Sequence, residues 1–164
     1  MIALDEKESL VRALIARLDG EYATLAAAQK ATQEAATHEE AKPENDKDTR
    51  ALEQSYLARG QAERVIQLKG DLQLLHQLRV RSFESTSAVG LSALVRLEEE
   101  DSHQRLYLLV PVGAGEELSS SQGLVKVVTP ESPLGRALLG ARLDDDVELQ
   151  SPKGKRVLSV TGIS

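Results

Sequence analysis

The apolar residues recur with helical spacing in the first half of the chain and with the short runs of β-strands in the second half. Residues 6–36 contain one Gly and no Pro, and their apolar stripe is formed by Val11, Leu14, Ile15, Leu18, Tyr22 and Leu25. Residues 48–81 contain a matching stripe on two heptad positions, Ala51, Ala58, Val65, Leu72 and Arg79 on one and Leu68 and Leu75 on the other. Two such stripes predict an antiparallel coiled-coil hairpin.

The segment that joins the two stripes, residues 37–50, is rich in carboxylates. Pro43 disfavours a helical conformation of Lys42, so we expect the first helix to end there. Asn45, Asp46 and Asp48 are suited to the N-cap and first turn of the second helix. One interpretation is a solvated turn whose acids only cap a helix, and the other is an acidic tip that reaches a partner.

The second half predicts a small α+β domain with a mostly antiparallel sheet. The expected strands cover residues 88–98, 104–112, 124–129, 145–150 and 156–161. A short helix is expected over residues 134–139, ended by Gly140. The change of pattern near Phe83 divides the chain into a hairpin, residues 1–82 with its acidic tip near 38–48, and a C-terminal domain, residues 83–164.

Composition excludes several classes of protein. A formal net charge of −6 and only four aromatic residues argue against direct or sequence-specific nucleic-acid binding. No stretch is apolar enough to span a membrane, and the first residues do not resemble a signal peptide. With no Cys and no export signal, we expect a cytoplasmic protein without disulfides or thiolate metal sites.

Motifs for independent catalysis are absent from the sequence. His38, His76 and His103 lie far apart and lack the spacing of metal ligands. The sequence contains no nucleophile elbow and no glycine-rich phosphate loop. None of these patterns therefore points to a metalloenzyme, a hydrolase or a nucleotide-phosphate site.

Three segments of the second half together resemble a known family. Residues 132–140 read Ser-Pro-Leu-Gly-Arg-Ala-Leu-Leu-Gly, and Asp-Asp-Val-Glu-Leu and Pro-Lys-Gly follow at 145–149 and 152–154. This set resembles the C-terminal signature of the bacterial Gre transcript-cleavage factors, the GreA/GreB family. Residues 56–65 resemble the family's second helix more loosely. The resemblance implies an antiparallel coiled-coil hairpin followed by an FKBP-like C-terminal domain.

The resemblance also implies a partner and a role. A Gre-like protein binds RNA polymerase through the secondary channel and has no catalytic residues of its own. Its tip carboxylates help to hold a catalytic Mg²⁺ of the polymerase during cleavage of backtracked RNA, which suits an ion that prefers few protein carboxylates. The residues that this assigns to the tip are Glu40, Glu44, Asp46 and Asp48, with Glu44 and Asp46 as candidate metal ligands. The residues assigned to polymerase binding are Ser132, Pro133, Leu134, Arg136 and Leu138. No stably bound cofactor is expected, and we expect a monomer.

The tip departs from the family pattern, in which an Asp is followed three residues later by a Glu. Counting back from the second helix places Glu44 and Lys47 at these positions, so one carboxylate is replaced by a cation. This leaves cleavage-independent modulation or inhibition of polymerase as an alternative function. A coiled-coil adaptor with another partner is a second alternative. Prolyl isomerisation is not favoured, because Phe83 and Tyr107 alone are too few aromatic residues to build a Pro-binding pocket.

Overall fold

The computed structural model describes residues 2–39 and 49–164, and the side chains of residues 2–35 and 52–164. Within these residues the protein is built from two long helices followed by a six-stranded mixed sheet and one short helix. None of the described helices is long and apolar enough to cross a membrane. The predicted order, a helical hairpin followed by an α+β domain, is confirmed.

Two helices, α1 (Leu4–Glu39) and α2 (Thr49–Gln77), form the hairpin. Asp5 and Glu6 stand in the first turn of α1, where carboxylates interact favourably with the helix dipole. α2 ends four residues before the predicted end at Arg81. Residues 78–84 belong to no helix or strand, and the Arg81 amide donates to Ser92 Oγ at 3.0 Å instead of continuing the helix.

The chain packs as two compact units. The hairpin unit is Ala16–Gln73, and the sheet unit is Met1–Ile15 together with Leu74–Ser164. The domain boundary near Phe83 rests on the change of sequence pattern and stays a prediction. In the hairpin unit the predicted seam is buried at Leu18, Leu68 and Leu72.

An ion pair joins the two helices inside the hairpin unit. The Arg64 guanidinium donates two hydrogen bonds to Glu21 Oε1, from Nη2 at 2.8 Å and from Nε at 3.0 Å. Both side chains are a little over one third exposed. Such a pair favours one register of the seam, because either charge would lose its partner if one helix slipped past the other.

The sheet contains β1 (Leu94–Glu99), β2 (Gln104–Leu109), β3 (Glu117–Ser120), β4 (Gly123–Val128), β5 (Asp146–Ser151) and β6 (Gly154–Ile163). Their order is β3-β4-β2-β1-β6-β5. β2 and β4 pair in parallel, and the other neighbours are antiparallel. The prediction of a mostly antiparallel sheet is therefore confirmed.

The structure corrects the strand prediction in two places. The first strand begins at Leu94 and not at Ala88, because the chain turns through Gly90 to Ser92, whose φ is +71°. β3 was missed altogether. It is four residues long and polar except for Leu118, so it carries too little β-strand pattern to be recognised.

The short helix α3 (Pro133–Leu138) packs on the face of the sheet that carries most of the core. The core residues beneath it come from five strands and from the segment before β1: Phe83, Val89, Val95, Leu97, Tyr107, Leu109, Val128, Val147, Leu158 and Val160. Leu138 contributes to this cluster from α3 and is completely buried. α3 is thus fixed to the sheet by its own apolar face.

A buried lysine ties the start of α1 to the sheet unit. Lys7 is 1% exposed, and its Nζ donates to the carbonyl oxygens of Arg81 and Ser92. The same Nζ lies 4.9 Å from the centroid of the Phe83 ring. Burial, and then the nearby charge of Arg81, lower the pKa of Lys7 from 10.5 to about 8.

Candidate functional site

Ser132 positions the start of α3. Its backbone is extended (φ −70°, ψ 152°), and its Oγ accepts a hydrogen bond from the Gly135 amide at 3.0 Å, which is the arrangement of an N-cap. The same hydroxyl donates to the Thr129 carbonyl at 2.8 Å. Pro133 occupies the first turn, where its missing N–H costs no hydrogen bond. One serine therefore caps the helix and ties it to the end of β4.

Gly135 allows α3 to lie directly against the backbone that precedes it. A Cβ at this position would stand 1.9 Å from the Thr129 carbonyl oxygen and 2.6 Å from its carbon. No side chain fits there unless the helix or the Thr129 peptide moves. After the helix, Gly140 adopts a φ of +81°, a conformation that favours glycine, as expected for its predicted role as helix terminator.

The outer face of α3, taken together with the C-cap residue Leu139 that follows the helix, presents an apolar residue, a cation and a second apolar residue. Pro133, Arg136 and Leu139 are three residues apart and all exposed, and Leu139 is 43% exposed. Among the described residues, the Arg136 guanidinium makes no ion pair. A permanently charged planar donor beside apolar side chains suits a carboxylate-bearing protein surface.

An open groove of about 370 Å³ lies beside the N-terminal end of α3. Its apolar lining includes Tyr107, Val128, Pro133, Leu134 and Leu149. Two cations, Lys126 and Arg156, also line it, and both are paired. Lys126 Nζ lies 3.2 Å from Glu117, and Arg156 Nη2 lies 2.6 Å from Glu99. The groove thus offers an apolar floor of a size that fits one or two side chains of a partner.

The predicted docking residues fall on two sides of α3. Pro133 and Arg136 face solvent, and Ser132 and Leu134 are half-buried at the groove. Leu138 has no exposed surface, so it can support docking only by holding α3 in place. Sequence reasoning missed Leu139, although its spacing from Pro133 and Arg136 was a usable signal. The groove as a whole gave no signal, because only the folded sheet brings β2 near the β5–β6 hairpin.

The tip assignments, Glu40, Glu44, Asp46 and Asp48, lie outside the described residues. Lys47 and Pro43 do as well. Among the side chains of residues 2–35 and 52–164, no three His, Asp or Glu side chains are grouped so that they could hold a metal ion. The candidate Mg²⁺ ligands therefore stay a prediction.

Comparison with known proteins gives a family match for the second half of the chain. Residues 84–164 match the family model described as transcription elongation factor, GreA/GreB, C-terminal domain. Through this domain the chain belongs to the GreA/GreB family. The match includes α3, its Ser132 cap, the groove and all six strands.

Individual relatives agree with this assignment. The chain is 35% identical over 79 residues to the transcription inhibitor protein Gfh1 of Thermus thermophilus, which is 48% of this chain and 49% of that protein. It is 30% identical over 101 residues to transcription elongation factor GreA of Verminephrobacter eiseniae, covering 62% of this chain and 61% of GreA. The chain thus spans about half the length of the first of these relatives.

A solved structure of Thermus thermophilus Gfh1 aligns over 94% of both chains, with 26% identity and a TM-score of 0.37.

Proposed function

We propose that this GreA/GreB-family protein binds RNA polymerase through the outer face of α3 and the adjoining groove, and acts on transcript elongation through the polymerase's secondary channel. The observation that carries the proposal is the exposed Pro133, Arg136 and Leu139 face on a helix that Ser132 and Gly135 hold rigidly against the sheet. A rigid surface loses little conformational entropy when it binds, so even a small patch can contribute to docking.

We infer cleavage stimulation as the first candidate for the action on polymerase. In this interpretation Glu44 and Asp46 at the hairpin tip supply carboxylate oxygen to a Mg²⁺ that belongs to the polymerase. Such an ion activates the attacking water and stabilises the leaving oxygen in phosphoryl chemistry. The polymerase would perform the reaction, and this chain would contribute binding and negative charge.

We keep inhibition or modulation of polymerase as the second candidate, because of Lys47. A cation three residues after Glu44 lowers the negative charge that the tip can offer to a metal. The name of the Gfh1 relative, transcription inhibitor protein, supports the same alternative. The matched family domain begins at residue 84, so the family match does not extend to the tip.

Gel analysis of RNA in a stalled, backtracked elongation complex tests these candidates. Cleavage stimulation predicts that the protein shortens the RNA, that Glu44→Ala with Asp46→Ala abolishes the effect, and that Lys47→Glu increases it. Inhibition predicts slowed extension without new cleavage products in the wild type and in Lys47→Glu. Unchanged cleavage and unchanged extension at saturating protein would contradict both and favour an adaptor with another partner.

The experiment needs controls that separate the tip from the docking surface. The tip variants should keep wild-type affinity for polymerase, because the proposed contact lies in another part of the chain. Leu139→Ser should weaken binding and with it any effect on the RNA. Leu124→Ser is the matched control, since Leu124 is a second exposed leucine of the same domain that lies outside α3 and the groove.

A further inference from the structure

One face of α2 exposes large apolar side chains that the hairpin does not use. Leu52, Tyr56 and Ile66 are 57%, 67% and 73% exposed. The charged residues Arg59 and Glu63 lie between them and form an i,i+4 ion pair at 3.3 Å. All of these residues belong to the hairpin unit. Large apolar groups grouped on one helix face are typical of an interaction surface.

These residues share a narrow stripe. At 100° per residue, positions 52, 56, 59, 63, 66 and 70 fall within about 40° on either side of one line along α2. Gly70 closes the stripe and presents no side chain. A Cβ added to it would meet no atom within 4 Å, so the helix surface is open there. Along α2 the stripe thus presents apolar residues at positions 52 and 56, charged residues at 59 and 63, an apolar residue at 66 and no side chain at 70. We call these six positions the outer stripe.

The outer stripe is complementary to a second copy of itself. Consider two α2 helices that cross antiparallel about a two-fold axis placed at the height of residue 61 along the helix. Position i of one copy then faces position 122 − i of the other. Arg59 then faces Glu63 of the second copy, and Tyr56 faces Ile66. Leu52 faces Gly70, where the missing side chain leaves room for it. One register satisfies the charges, the apolar contacts and the packing, as an isologous interface requires.

We propose that two copies of this chain associate antiparallel through the outer stripe of α2. Each Arg59 would lie between its own Glu63 and that of the second copy, so four charges alternate at the centre of the interface. This proposal goes beyond the proposed function and does not rest on it, and it replaces the expectation of a monomer. The interface of one helix per copy is small, so we expect a dissociation constant of about 100 µM.

Charge exchange tests the register. Arg59→Glu and Glu63→Arg each place like charges across the interface in a homodimer, so each variant alone should associate at least about tenfold more weakly than the wild type. An equal mixture of the two variants restores opposite charges at both central pairs. The mixture should therefore form a heterodimer. Association through apolar contacts alone would not depend on which charge variants are mixed.

Sedimentation equilibrium of the intact protein between roughly 10 and 500 µM measures the association. Ile66→Ser should weaken it, whereas Leu57→Ser should leave it unchanged. Leu57 is the matched control because it is 64% exposed but lies about 140° around the helix from Leu52. Circular dichroism at 222 nm shows whether each variant keeps its helical content.

The proposal is overturned if the wild type sediments as a monomer over the whole range. It is also overturned if the mixture of the two charge variants associates no better than either alone while both keep wild-type helical content. If either single variant loses helical content, the double variant Arg59→Glu with Glu63→Arg takes its place in the test. This variant keeps an i,i+4 pair and should dimerise like the wild type, and failure to do so would also contradict the register.

Discussion

The closest backbone contact of α3 gives a sharp prediction: Gly135→Ala should destabilise the sheet unit. The added Cβ would stand 1.9 Å from the Thr129 carbonyl oxygen. Ordinary contacts of this kind begin near 3 Å, so α3 or the Thr129 peptide must move by about 1 Å in a closely packed region. The Ser132 hydroxyl bridges the same two segments, and its bond to Thr129 would be strained or lost.

The magnitude follows from opposing contributions. Overpacking of this kind costs about 1–3 kcal/mol, and loss of the Ser132–Thr129 hydrogen bond costs about 1 kcal/mol. Replacing Gly by Ala inside a helix contributes about 1 kcal/mol in the stabilising direction. We therefore expect the free energy of unfolding to fall by about 2 kcal/mol, because the steric cost exceeds the gain in helix propensity.

Urea denaturation followed by circular dichroism measures this change, and hydrogen exchange of the strand amides assigns it to the sheet unit. Gly20→Ala is the matched control. Gly20 lies inside α1 with no atom within 4 Å of an added Cβ, so this variant should be stabilised by up to about 1 kcal/mol. If Gly135→Ala were as stable as the wild type, or more stable, α3 would not be held as the structure describes.

Three further predictions concern single contacts. The free energy of unfolding of the wild type should rise as the pH increases from about 8 to 10.5, because the folded-state pKa of Lys7 is lowered and the unfolded state then binds more protons. Denaturation over this pH range should show that Lys7→Met lacks this part of the rise. Ser132→Ala should cost about 1 kcal/mol of stability through loss of the N-cap, measured by urea denaturation. A double-mutant cycle on Glu21→Gln and Arg64→Gln should give a coupling of only about 0.5 kcal/mol, because both side chains are partly exposed; a coupling near zero would mean that the pair does not hold the register.

The helices could be predicted from sequence because their information is local. The seam at Leu18, Leu68 and Leu72 repeats at helical spacing, and the structure buries these residues as the pattern requires. α3 could also be located, since Pro133 and Gly140 mark its ends. Its resemblance to the Gre signature further indicated that it belongs to a functional surface.

Other features depend on the folded chain and could not be predicted. The groove joins Tyr107 of β2 to Leu149 and Arg156, which face each other in the β5–β6 hairpin. The strand order that places β2 near this hairpin could not be predicted from the sequence. The sequence also gives no indication that Lys7 is buried, because a lysine beside Glu6 and Glu8 is typical of a solvated helix start. Leu138 illustrates the reverse case, since a motif residue assigned to docking lies entirely in the core.

Binding of the purified protein to RNA polymerase elongation complexes tests the central claim most directly. The account predicts saturable binding that is at least about tenfold weaker for Arg136→Ala with Leu139→Ser, because the variant loses a charged donor and an apolar contact from one surface. Leu124→Ser should bind like the wild type, and hydrogen exchange should show that all variants keep the fold. Absence of wild-type binding, or equal affinity of the folded α3 variant and the wild type, would contradict the account.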